Sequence, residues 1–102
     1  MEVAIKKHPD KTVLTLSQNV MIGSDATVIQ NAVLDSIDDG SKVIVVDLSK
    51  LKYITSWGIG TLFHALTTCR KQEVDFCLTG VNPKVHEILE QVKLHQVFTI
   101  LE

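Results

Sequence analysis

The sequence predicts an α/β protein in the order β-β-α-β-α-β-α-β, with a mixed, mostly parallel sheet and helices packed on it. Three observations predict it. Apolar runs of strand length alternate with three segments whose apolar residues recur every three or four positions. The run Lys42 to Leu48, KVIVVDL, is apolar without alternation, as expected of a central strand covered on both faces. Two short runs at the start are split by the turn signal Pro9-Asp10 and read as a hairpin. Strands joined through helices lie parallel with right-handed crossovers, so the hairpin supplies the antiparallel part.

The elements follow in chain order. Val3-Ala4-Ile5 and Val13-Leu14-Thr15-Leu16 are the hairpin strands. Gly23-Ser24-Asp25 leads into the first helix, with Ser24 as its N-cap and Asp25 complementing the positive end of the helix dipole. Ala26, Ile29, Val33 and Ile37 make its inward stripe, and Asp39-Gly40 stops it. After the central strand, the second helix starts near Ser56. Its stripe is Ile59, Leu62, Phe63, Leu66 and Cys69, and Arg70 and Lys71 suit its C-terminus. Val74 to Thr79 is a further strand and Gly80 begins a turn. Pro83 opens the third helix, with Val85, Ile88, Leu89 and Val92 facing inward. Val97 to Leu101 is the last strand. No linker or repeat interrupts residues 1–102, which are expected to form a single domain.

Composition narrows the function. A hydrophobic content of 45% and a charged content of 22% are those of an ordinary globular protein. The net charge of −2, from 10 Lys and Arg against 12 Asp and Glu, leaves no basic excess to neutralise a nucleic-acid backbone. The β-branched run Val43 to Val46 is far too short to cross a bilayer, and Met1-Glu2-Val3 begins no secretory signal, so a cytoplasmic protein with no membrane partner is expected. Cys69 and Cys77 fit neither a disulfide framework nor a zinc site and read as small core hydrophobes. His8, His64, His86 and His95 lack metal-ligand spacing, so neither metal nor cofactor is expected.

In an open α/β sheet, function gathers at the carboxyl ends of strands and at the helix starts that follow. Here that place is Asp47-Leu48-Ser49 followed by Thr55-Ser56-Trp57-Gly58-Ile59-Gly60. Thr55 and Ser56 are both N-cap residue types, and one of them capping the helix is the simplest reading. A phosphate on a hydroxyl here would be favoured by the unpaired N–H groups and the dipole. It would add about −1.5 to −2 charge, which the fold tolerates and a docked partner does not. Gly58 and Gly60 weaken the helix; close helix–sheet packing accounts for them, or access of another protein to the helix start. They are not a phosphate-cradling GxGxxG, because Phe63 stands where the last glycine would be. Asp47 has no matched carboxylate for acid–base work and reads as support for the loop. Ser56 has no GxSxG setting, so neither an enzyme nor a small-molecule substrate is expected.

The segment DLSKLKYITSWGIGTL, residues 47–62, resembles the signature of the STAS domain (sulfate transporter and anti-sigma factor antagonist). Val20-Met21-Ile22-Gly23-Ser24-Asp25 is similar to the family's loop before its first helix. Residues 82–89 and 94–98 are similar to its last helix and strand. The resemblance implies a bacterial anti-sigma factor antagonist in a partner-switching pathway. Ser56 aligns with the serine phosphorylated by the cognate anti-sigma factor, a serine kinase that is bound when this serine is unmodified and released when it is phosphorylated. It implies a partner-binding surface of Ser24, Asp25, Thr55, Ser56, Trp57, Gly58 and Thr61. Two departures stand out. Thr55 replaces the family's usual Asp, which makes Thr55 an alternative acceptor. Trp57 replaces a small residue, and either packs on the helix flank or anchors a partner. The other reading is a non-phosphorylated adaptor subunit of a transport or signalling complex.

Overall fold

In the computed structural model, which describes residues 3–21 and 25–101, β1 (Val3–Lys7) and β2 (Lys11–Leu16) pair antiparallel. The turn between them is closed by the His8 N–H donating to the Lys11 carbonyl at 2.8 Å. Three helices then alternate with three strands: α1 (Asp25–Asp38), β3 (Val43–Asp47), α2 (Ser56–Lys71), β4 (Asp75–Thr79), α3 (Pro83–Gln91) and β5 (Thr99–Ile100). The sheet order is β1-β2-β3-β4-β5, with every pair from β2 onward parallel. The element order and the mixed sheet are those read from the sequence.

Each parallel crossover moves one strand along the sheet in the same direction, so right-handed connections place all three helices on one face. The register matches this. Leu14, Val46 and Leu78 stand side by side, as do Thr12, Ile44 and Phe76. The apolar members of these rows form one core with Ile29 and Val33 of α1, Leu62 and Leu66 of α2, and Val85 and Leu89 of α3.

Three expectations are corrected here. Among the described residues the core cluster with the three helices meets the central strand on one face, that of Ile44 and Val46. Val45 and its partner Cys77 lie outside that cluster and are still only 6% and 9% exposed. An unbroken β-branched run reflects strand preference as much as two-sided burial. Phe63 is 40% exposed. The buried face of α2 is Gly58, Thr61, Leu62, Ala65, Leu66 and Cys69, and small residues supply the spacing that Phe63 was assigned to fill. Val92 is 48% exposed, because α3 ends at Gln91 and Lys93 turns the chain through φ 61°. Ser24, the expected N-cap of α1, lies outside the described residues. Gly40 does end the α1 region, at φ 93°, a backbone angle that favours glycine.

Candidate functional site

The loop from β3 to α2 is held from several sides. Leu48, Leu51 and Ile54 are buried and pin it to the core. The Leu48 N–H donates to the Thr79 carbonyl at 2.9 Å, and the Lys52 N–H donates to the Asn19 carbonyl at 2.8 Å. The Asn82 side-chain amide donates to the Leu51 carbonyl at 2.8 Å, while its oxygen accepts from the Val85 N–H and caps α3. Asp47 Oδ1 accepts the Ser49 N–H at 2.9 Å, folding the strand end into a tight turn. Gly80, at φ 67°, packs against this turn so closely that a Cβ there would sit 2.8 Å from both Asp47 and Ser49. Asp47 therefore organises its own turn. Asn82 is a supporting residue that the sequence reading passed over, although an Asn just before a helix-opening Pro is a capping signal.

The loop delivers the chain to α2 with two adjacent hydroxyls in different states. Thr55 is the N-cap, in an extended conformation, and its Oγ1 accepts the Gly58 N–H at 3.2 Å. Its carbonyl accepts the Ile59 N–H at 2.9 Å. Ser56 is the first residue of the helix. It is exposed, and its hydroxyl makes no hydrogen bond to another described residue. The N–H groups of Ser56 and Trp57 are left at the open end of the helix, where the positive end of the dipole favours anions.

The two glycines have different causes. A Cβ at Gly58 would meet Met21 Cε at 2.9 Å and Ile54 Cγ1 at 3.0 Å, so any side chain under the helix start must push these two aside. At Gly60 a Cβ would meet nothing within 4 Å among the described residues. Its cost to the helix, about 0.5–1 kcal/mol relative to Ala, has no compensating contact. Gly60 instead floors a groove of about 260 Å³ between α1 and α2, where Ala26 and Gln30 face Ser56, Trp57 and Thr61. Trp57 is 56% exposed. Thr61 Oγ1 donates to the Trp57 carbonyl at 3.0 Å, and Gln30 Nε2 donates to Thr68 Oγ1 at 3.0 Å.

The sequence profile of the STAS domain matches residues 2–102. The chain belongs to the STAS domain family. An anti-sigma factor antagonist by name, BtrV of Bordetella bronchiseptica, is 23% identical to this STAS domain over 91 residues, covering 89% of the chain and 78% of BtrV. Among solved structures, a variant of RsbS from Moorella thermoacetica superposes with a TM-score of 0.82 at 20% identity, over 99% of this chain and 86% of that one. The anti-sigma factor antagonist SpoIIAA in its unphosphorylated form gives 0.79 at 13% identity, over 99% and 89% of the two chains. At such identities the two structures speak to the fold.

In this STAS domain the residues singled out from the sequence fall into three groups. Thr55, Ser56, Trp57, Gly58 and Thr61 converge on the start of α2, four of them within its first two turns. Asp25 is buried at the first residue of α1, beside Ala26 of the groove wall. Asp47 sits below in its turn, and Ser24 lies outside the described residues. Gln30 and His64, which also line the groove, gave no signal in sequence because nothing local links one helix face to another. His86 and His95, far apart in sequence, bring their ring centroids to 6.3 Å, and His86 Nδ1 lies 2.8 Å from Glu90 Oε1. Among the described residues no group of three or more His, Cys, Asp or Glu is placed to hold a metal ion. Burial pushes the Cys69 thiol up to about 11 and raises that of Cys77, the latter also through the negative charge of Asp75. Neither thiol is poised as a nucleophile. Among the described residues no helix is long and apolar enough to cross a membrane.

Proposed function

We propose that this STAS domain is the antagonist arm of a partner switch. Unmodified, it binds an anti-sigma factor that is also a serine kinase; phosphorylated on Ser56, it lets go. The observation that carries this reading is the state of Ser56: an exposed hydroxyl without a hydrogen-bond partner among the described residues, at the open start of a helix on a braced loop, beside an exposed tryptophan. In the transfer, Ser56 Oγ attacks the γ-phosphorus of ATP, its proton passes to a base on the kinase, and ADP leaves. The product dianion faces the N–H groups of Ser56 and Trp57, so the fold accommodates it. A partner seated over the same turn meets a new charge it must desolvate. Thr55 is the weaker acceptor, since its oxygen already serves as the N-cap. The domain acts by binding, and the relatives named as anti-sigma factor antagonists support this reading.

The test is phosphorylation by an anti-sigma serine kinase from the same genome with ATP, followed by mass-spectrometric location of the phosphate. One phosphate on Ser56 is expected, and Ser56→Asp should weaken the complex at least tenfold, which is about 1.4 kcal/mol. Phosphate elsewhere, or unchanged binding by Ser56→Asp, rejects the mechanism. Trp57 at 56% exposure favours one second reading, an adaptor whose binding is never phosphorylated. That reading requires Trp57→Ala to lose the partner while both Ser56→Ala and Ser56→Asp retain it.

A further inference from the structure

We infer that the groove between α1 and α2 seats one apolar side chain of the anti-sigma partner, and that Gly60 leaves the seat open by having no side chain of its own. This rests on the antagonist reading above and specifies how that partner is held.

Gly60 is the starting point. No contact among the described residues and no left-handed backbone angle opposes a side chain there, in contrast to Gly58 one half-turn earlier. A residue that weakens its helix and packs against nothing makes sense where another molecule occupies the space. The groove's lining then defines the occupant. The Thr61 hydroxyl donates to the Trp57 carbonyl and the Gln30 side-chain nitrogen donates to Thr68 Oγ1, so both donors are already engaged. Trp57, Ala26 and Gly60 supply its apolar surface, and no Lys, Arg, Asp or Glu is among the described residues that line it. An apolar occupant suits the Trp57, Ala26 and Gly60 surfaces, while the exposed Ser56 and His64 side chains stay in water at the rim.

Size separates a side chain from a free ligand. A cavity of about 150 Å³ already holds a benzene ring, whereas small-molecule sites usually span roughly 300–1,000 Å³. At about 260 Å³ the groove fits a single leucine, methionine or phenylalanine side chain. Ser56 lies on the rim of the same groove, so its phosphorylation places a dianion beside an apolar seat. Release then follows from desolvation at the seat as well as from repulsion. A tryptophan wall agrees with the enrichment of that residue among binding hot spots.

The experiment has two arms. In the first, toluene stands in for the side chain and is titrated into the isolated chain while backbone amide shifts are followed. Changes confined to Ala26, Trp57, Gly60 and Thr61, and abolished in Gly60→Leu, are expected; no changes, or changes centred elsewhere, overturn the seat. In the second, binding to the anti-sigma serine kinase is measured for the wild type, Gly60→Ala and Gly60→Leu, with melting temperatures recorded for each. A graded loss is expected, at least tenfold for Gly60→Leu, with neither variant melting below the wild type. Equal affinity of all three overturns the seat and leaves the antagonist reading intact. A wild type that binds no such kinase removes both.

Discussion

Thr55 Oγ1 accepts the N–H of Gly58 at 3.2 Å, and this bond divides the labour between two neighbouring hydroxyl residues. Thr55 holds the helix start, leaving the Ser56 hydroxyl outside it. Thr55→Ala should therefore lower stability by about 0.5–2 kcal/mol, whereas Thr55→Asp, whose carboxylate can cap in the same way, should be near neutral. Urea denaturation of the two variants checks this, and equal losses would mean that the cap contributes nothing.

Ser56→Asp places a negative charge where the helix dipole is positive. The folded chain should gain about 0.3–1 kcal/mol at low ionic strength, and the gain should fade in 1 M salt, where the screening length is about 3 Å. Thermal melts of the wild type and Ser56→Asp at two salt concentrations read this directly. A destabilised variant at low salt would argue that the fold does not tolerate phosphate at this position.

Gly58 and Gly60 should respond to substitution with opposite signs. Gly58→Val forces atoms against Met21 and Ile54 and should cost about 1–3 kcal/mol, as other overpacked sites do. Gly60→Ala adds a methyl group that meets nothing among the described residues and should gain about 0.5–1 kcal/mol through helix propensity. Denaturation midpoints at unchanged slope decide both.

What could be read in the sequence followed from local periodicity. The three helices, the hairpin and the Thr55–Ser56 helix start all announce themselves within a few residues of chain. Phe63 and Val92 were misplaced because counting apolar residues cannot see that Thr61 and Ala65 complete the buried face of α2, or that Lys93 ends α3 through a left-handed angle without a glycine. The one-sided core was hidden for a different reason, since β-branched residues suit a strand whichever face is covered. Least legible was the groove. Gly60 and Gly58 look alike in sequence, and only the packing of α1 against α2 separates a glycine that is crowded from one that opens onto a cavity.

Asn82 joins two elements through one side chain, capping α3 with its oxygen and holding the Leu51 carbonyl with its nitrogen. Asn82→Ala removes both. The expected loss is about 1–3 kcal/mol, combining an N-cap with a hydrogen bond to the loop. Asn82→Asp keeps the cap and loses only the strut, so it should recover part of the difference. Hydrogen exchange should also quicken at Leu51 and Lys52 in both variants if the strut braces the loop.

Cys69 gives the fold a stability slope in alkaline solution. Burial raises its thiol from 9.0 to about 11, so the unfolded chain releases this proton first. The stabilising preference for the protonated thiol is complete below pH 9 and is lost progressively as pH rises toward 11. The slope across that window is at most about 1.4 kcal/mol per pH unit. Other groups titrate in the same range, so the measurement is a difference: urea stability at pH 8 and pH 10.5 for the wild type and Cys69→Ala. The wild type should lose more on going to pH 10.5 than the variant does, even though the variant starts lower because of the void it leaves. Parallel losses in the two chains would place the alkaline sensitivity outside Cys69.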